Sequence, residues 1–100
     1  MTVATLRARF DASRARGDTV HRREEARFQL ELNDDPEAAL RLARSNWEVQ
    51  REPADLRILA EAAHATHDGA ALRTVRQWLA ATRLEYPAVT RLVNAGEGSL

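Results

Sequence analysis

The sequence predicts an all-α fold, and three of its features lead to this prediction. Nineteen of the 44 hydrophobic residues in this chain of 100 are alanine, a strong helix former. No stretch alternates between apolar and polar residues with the period of two that a half-buried strand requires. Only four glycines and three prolines interrupt the chain, and most of them fall between segments whose apolar residues recur every three or four positions.

Helix boundary signals divide the chain into six helical segments. Gly17 has the conformational freedom to end the first. Asp35 followed by Pro36 is the sharpest start, because aspartate caps a free backbone N–H group and proline lacks one. Asp68 and Gly69 mark a similar boundary, at which one helix ends and an aspartate caps the start of the next. The predicted helices cover residues 2–16, 19–33, 36–50, 53–67, 69–83 and a short terminal helix at 87–94, followed by a flexible tail at 95–100.

Composition excludes several classes of function. The 15 basic and 15 acidic residues balance, whereas a generic nucleic-acid or anionic-membrane binder usually has a basic excess. There is no cysteine, which excludes disulfides, cysteine-bound zinc and thiol catalysis. Every basic residue is arginine, so neither a Schiff-base lysine nor a phosphate-loop lysine is present. G-x-S-x-G and H-E-x-x-H motifs are absent too, and we predict no enzyme, cofactor or metal.

No apolar run approaches the roughly 20 residues that cross a bilayer, and the first residues lack the apolar core of a secretory signal. We therefore expect a cytoplasmic protein without a membrane segment. Export remains open if a longer parent protein carries a signal.

The boundary residues recur with a period near 34. Asp35 and Asp68 are 33 positions apart, and Pro53 and Pro87 are 34 apart. Two helices in such a period are typical of helical-hairpin solenoids. With the run from Asp35 to Leu40 at the turn into a second helix, the chain from about residue 18 to 88 resembles the tetratricopeptide (TPR) family in a divergent form. An ordinary helical bundle with coincidental spacing is the alternative.

The resemblance implies one domain over residues 1–94: a partial unit or capping helix at 1–17, helix pairs at 18–52 and 53–86, and the terminal helix. It also implies a superhelix in which the first helix of each pair lines a groove that binds a peptide. On helix order alone, the groove then belongs to the second and fourth segments. The partner-binding candidates are the polar residues of those helices: Arg23, Arg27, Glu31, Arg57, Glu61 and His64.

Two further clusters of polar residues have simpler interpretations than a site. His64, His67 and Asp68 have metal-ligand character, but they fall at a helix end, where imidazole is favourable. His21 with Glu24 and Glu25 resembles an acid–base set, but acids are expected in a first helical turn. Trp47 and Trp78 continue apolar helical stripes, so they are predicted to fill the core rather than to bind a ligand.

Charge is unevenly distributed along this neutral chain. Residues 1–27 hold seven arginines against four acids, residues 28–68 four against nine, and residues 69–100 four against two. A solvated surface is the simplest interpretation. An acidic partner or nucleic acid would use the arginines of the first helices: Arg7, Arg14, Arg22, Arg23 and Arg27.

We therefore expect a non-enzymatic scaffold that binds another protein or peptide, either as the C-terminal part of a longer solenoid or as a module that associates with its own copy. Two pairs are few for a solenoid, since about three repeats are usually needed for stability. A helical nucleic-acid-binding protein is the alternative.

Overall fold

The computed structural model describes residues 22–98, with side chains as far as Asn94, and over this range it is all-helical, as predicted. The predicted helix at residues 2–16 lies outside the described part. The helices of the described part are α1 (Arg22–Glu31), α2 (Pro36–Trp47), α3 (Pro53–Thr66), α4 (Gly69–Thr82) and α5 (Pro87–Gly98).

The starts of the helices follow the predicted caps. The Asp35 carboxylate accepts a hydrogen bond from the Ala38 N–H at 3.1 Å, and Asp68 accepts from the Ala71 N–H at 3.0 Å. Pro53 begins α3, where its missing N–H would have had no partner within the helix. These residues fix where each helix begins because they satisfy or remove the free N–H groups of the first turn.

Most helices end slightly earlier than predicted. α2 ends at Trp47 rather than at residue 50, and α3 and α4 each end one residue early. The next residues, His67 and Arg83, take left-handed backbone angles with φ of 56° and 53°. These positions favour glycine, so histidine and arginine there gave no signal in the sequence. The terminal helix α5, by contrast, continues to Gly98 into the predicted tail, because a glycine costs a helix only about 1 kcal/mol.

The helices pack in a linear order. Their connections are short, at residues 32–35, 48–52, 67–68 and 83–86, so successive helices run antiparallel and side by side. Each helix packs on the next, α1 also packs on α3, and α3 on α5. Within residues 22–98, α1 has no extensive contact with α4 or α5. The helices α1, α3 and α5 therefore form a parallel row.

The core is centred on α3, which packs on all four other described helices. Leu56, Ile58 and Leu59 are at most 2% exposed. α3 also buries three alanines, Ala60, Ala62 and Ala63, and such small side chains let the neighbouring helices approach closely. Val75 of α4 and Val89 of α5 complete the core on one side.

Both tryptophans fill space between helices, as predicted. Trp47 of α2 is buried, and Trp78 of α4 packs against the core. Their rings meet edge to face, with centroids 5.2 Å apart and planes at 88°. The Arg51 guanidinium lies 5.4 Å from both ring centroids, within cation–π range, and its Nε donates to the Trp47 carbonyl at 3.1 Å. The cluster joins the second helices of the two pairs.

None of the helices in residues 22–98 is both long enough and apolar enough to cross a bilayer.

Candidate functional site

The row of α1, α3 and α5 carries a polar surface. Arg23, Arg27 and Glu31 are four residues apart along α1, so they share one side of that helix. Arg57 and Glu61 have the same spacing on α3. Because α3 lies between the other two helices, its polar side chains reach toward both.

Glu61 is the centre of an ion-pair network on this surface. One of its carboxylate oxygens accepts a hydrogen bond from Arg27 Nη1 at 2.6 Å, and the other accepts from Arg57 Nε at 3.0 Å. Arg27 Nη1 also donates to Glu31 at 3.1 Å. The Arg27–Glu61 pair links α1 to α3, whereas the other two pairs each lie within one helix.

The arginines keep Glu61 ionised. Burial alone would raise the pKa of Glu61, but its hydrogen bonds and attraction to Arg27 and Arg57 outweigh this effect, so its pKa is lowered. The hydrogen bond to Glu61 in turn raises the pKa of Arg27. Hydrogen bonds to Tyr86 and Glu61 raise the pKa of Arg57. All three groups are therefore charged at neutral pH.

A second network lies near the start of α3 and is more deeply buried. Asp55 is fully buried. Its Oδ1 accepts hydrogen bonds from Asn46 Nδ2 at 2.7 Å and Arg23 Nη1 at 3.2 Å, and its Oδ2 accepts from the Glu52 N–H at 2.9 Å. Arg23 also pairs with the exposed Glu52 carboxylate at 3.3 Å. The Asp55 carboxylate thus ties α1 and α2 to the first turn of α3.

In the part of the chain that the structure describes, two depressions lie along the row. One, of about 260 Å³, is between α1 and α3 and is lined by Arg23, Glu24, Arg27 and Ala54. The other, of about 360 Å³, is between α3 and α5 and is lined by Arg57, Glu61, Ala88, Arg91 and Leu92. We call the second the α3–α5 groove. Both are lined by charged and apolar side chains.

Five of the six candidate residues come together in these networks. Arg27, Glu31, Arg57 and Glu61 belong to the first, and Arg23 to the second. His64 is half-buried on α3 and does not join them. Five of the six residues thus fall in two networks on α1 and α3, and whether a partner binds there stays a prediction.

The sequence interpretation missed several residues of this surface. Arg91 and Leu92 were not considered because the terminal helix was given no role, and only the packing of α5 on α3 brings them to the groove. Asn46 and Asp55, which are buried beneath this surface, did leave a signal. Asn46 interrupts the apolar stripe of Ala39 and Ala43, and Asp55 is the third residue of a helix that starts with proline, a common capping position.

The arginines proposed for nucleic acid are largely engaged within the protein. Arg22 donates to the Ser45 carbonyl at 3.4 Å, and Arg23 and Arg27 pair with carboxylates. Arg7 and Arg14 lie outside the described residues. A phosphate backbone would have to compete with these carboxylates for the paired arginines.

The predicted position of His64, His67 and Asp68 at a helix end matches the structure. His67 follows the last turn of α3, where its N–H bonds the His64 carbonyl, and Asp68 caps α4. Within residues 22–98, no three histidine, aspartate or glutamate side chains are grouped to hold a metal ion. In the other cluster, Glu25 is buried, and His21 lies outside the described part.

Comparison of the chain with family models, curated proteins and solved structures gives no match.

Proposed function

We propose that this chain is a non-enzymatic, TPR-like scaffold that binds a protein or peptide along the row of α1, α3 and α5. One observation carries the proposal: both depressions lie between helices of this row, and both are bordered by arginines. Charged rims around small apolar floors suit a segment of another chain that offers both kinds of side chain.

The packing order favours a solenoid over a bundle. In a bundle around one axis, the first and last helices meet. Here α1 packs on α2 and α3 and has no extensive contact with the later described helices. Successive pairs that contact only their neighbours are the architecture of helical repeats. This order supports the TPR-like interpretation.

The exposed side of α5 supports its placement as a terminal helix. Its exposed positions before residue 95 include Thr90, Arg91 and Asn94, whereas Val89 and Val93 are buried. A polar outer face is what the last unit of a solenoid requires, because no further unit covers it. The exposed polar side of α5 thus supports the proposal of a terminal helix.

The network chemistry favours binding rather than catalysis. Around Glu61 each charged group is held by an opposite charge, which fixes its position without making it a nucleophile or a base. Arg91 forms no ion pair with the described residues, so it is available to recognise a carboxylate of a partner through paired hydrogen bonds. The proposed role is therefore recognition.

The test is capture of a partner followed by measurement with pure proteins. The immobilised chain is incubated with lysate, a captured protein is purified, and its affinity is measured by calorimetry. We expect Arg57→Ala and Arg91→Ala to weaken binding by about tenfold or more, while Arg73→Ala, an exposed arginine of α4, leaves it unchanged. Equal binding by all three variants contradicts the proposal.

A further inference from the structure

The turn between α1 and α2 exposes an apolar side chain beside carboxylates that pair with none of the described residues. Leu32 is 55% exposed, one of two large hydrophobic residues described as exposed. Asp34 and Glu37 are exposed as well, and neither forms an ion pair or a side-chain hydrogen bond with the described residues. We call Leu32, Asp34 and Glu37 the acidic turn.

The α3–α5 groove has the opposite character. Its apolar side is formed by Ala88 and Leu92 of α5. Its acid, Glu61, is already paired with Arg27 and Arg57. Arg91 at its rim is exposed and forms no ion pair with the described residues. The charge left available in the groove is therefore positive.

The two surfaces are complementary. Within the described part of the chain, the turn offers a leucine and two carboxylates without ion pairs, and the groove offers apolar side chains and a guanidinium without an ion pair. Arginine binds carboxylates through two parallel hydrogen bonds. The acidic turn joins α1 to α2, and α1 has no extensive contact with α5. The turn and the groove are thus separate parts of one molecule.

We propose that the α3–α5 groove binds the acidic turn of a second copy of this chain, head to tail. This inference rests on the proposed function and names the partner of the groove. The wider charge distribution agrees with it, since residues 28–68 carry nine acids against four arginines and residues 69–100 carry four arginines against two acids. Because the two surfaces differ, each contact leaves a free turn at one end and a free groove at the other, which produces chains or closed rings.

The experiment is sedimentation velocity of the full chain, from micromolar to millimolar protein at low salt. We expect the average mass to rise with concentration and to fall on addition of salt, which screens exposed charges. Arg91→Glu and Glu37→Arg should each weaken association by about tenfold or more. Leu32→Ala, which retains every charge, should weaken it as well.

Mixing the two charge-reversed variants provides the decisive measurement. In the mixture, the charge-reversed groove of Arg91→Glu complements the charge-reversed turn of Glu37→Arg. The native turn of Arg91→Glu likewise complements the native groove of Glu37→Arg. An equimolar mixture should therefore regain association. Arg73→Glu makes the same charge change at an exposed arginine of α4 that forms no ion pair with the residues from 22 to 94, and it should associate as the native chain does. Circular dichroism checks that each variant is folded.

A chain that stays monomeric at all concentrations overturns the inference, as does association that Arg91→Glu and Leu32→Ala leave unchanged. If a monomeric chain still captures another protein through Arg57 and Arg91, this inference fails and the proposed function stands. If these substitutions affect neither self-association nor capture, both fail.

Discussion

At the scale of single residues, the buried carboxylate of Asp55 has the largest number of polar contacts described in this chain. It accepts hydrogen bonds from Asn46, Arg23 and the Glu52 backbone. Asn46 Oδ1 is itself buried without a partner in the described part of the chain. All three hydrogen bonds of the network are accepted by the Asp55 carboxylate. Removing that carboxylate therefore leaves their donors without this acceptor.

We expect Asp55→Ala to lower the free energy of unfolding by about 3 kcal/mol, because removing one partner of a buried charged network leaves the others unsatisfied. Urea denaturation monitored by circular dichroism measures the change. Glu85→Ala, at an exposed position, is the control and should change stability by less than about 0.5 kcal/mol. Equal effects of the two substitutions would show that the network adds no stability.

Glu61 makes stability depend on pH. Its pKa in the folded protein is lowered from an ordinary value of 4.5. Its ion pairs therefore stabilise the fold fully above that ordinary value, and this stabilisation is lost as the pH falls through the lower, folded value. We expect Glu61→Gln to cost about 1 kcal/mol at neutral pH, since the side chain is 21% exposed and only partly screened.

The difference between Glu61→Gln and the native chain should shrink below the ordinary carboxyl pKa, as measured by urea denaturation at several pH values. Glu31→Gln is the matched control, because Glu31 is 57% exposed and, among the described residues, pairs with Arg27 alone. A difference that stays constant into the acid range would mean that the stabilisation does not come from the charge of Glu61.

The residues of the polar surface that could be predicted from the sequence are those whose positions follow from the order of the helices. Arg27 and Glu61 were chosen as candidates because they interrupt apolar helices that the predicted repeat would place side by side. Arg91 was not, because its place beside Arg57 depends on how α5 packs on α3. Local periodicity does not encode that contact between distant segments. The surface was thus predicted where it follows from the order of the helix pairs and missed where it follows from packing.

At the scale of the elements, helix starts were predicted more accurately than helix ends. Asp35, Asp68 and Pro53 act through chemistry that is visible in the sequence. The ends depend on backbone angles. The N–H of His67 bonds the His64 carbonyl, and the N–H of Asp68 bonds that of Ala63, which is the Schellman pattern that usually has glycine at the left-handed position.

We expect His67→Gly to raise the free energy of unfolding by about 0.5–1 kcal/mol, because glycine adopts the left-handed conformation without a steric penalty. His67 is exposed, so few contacts are lost. Thermal denaturation measures the shift. Gln77→Gly, at an exposed position inside α4, introduces the same residue and should instead destabilise by about 0.5 kcal/mol. Destabilisation by both would contradict this account.

At the scale of the whole molecule, the linear packing order predicts graded stability. α3 packs on all four other described helices, whereas α5 packs on α3 and α4. In a stack of this kind the outer units open before the centre. We expect the amides of α3 around Ile58 to exchange hydrogen most slowly and those of α5 fastest, measured by hydrogen exchange with mass spectrometry. Uniform exchange across the helices would indicate a single cooperative bundle.

The all-α class followed from periodicity and composition, whereas the long-range arrangement depends on which apolar faces meet. The three buried alanines of α3 illustrate this. In the sequence they are only good helix formers, but in the fold they allow close approach of neighbouring helices. Alanine thus predicts a helix from the sequence alone, whereas its role in packing is seen only once the fold is known.

The contact between Trp47 and Trp78 has a practical consequence. The chain has two tryptophans, and both belong to this one edge-to-face pair between α2 and α4. Intrinsic tryptophan fluorescence therefore reports on this one contact between α2 and α4. Exciton coupling between the two indoles gives a spectroscopic signature of the intact contact. Separation of α2 from α4 can therefore be followed by optical spectroscopy without attaching a dye.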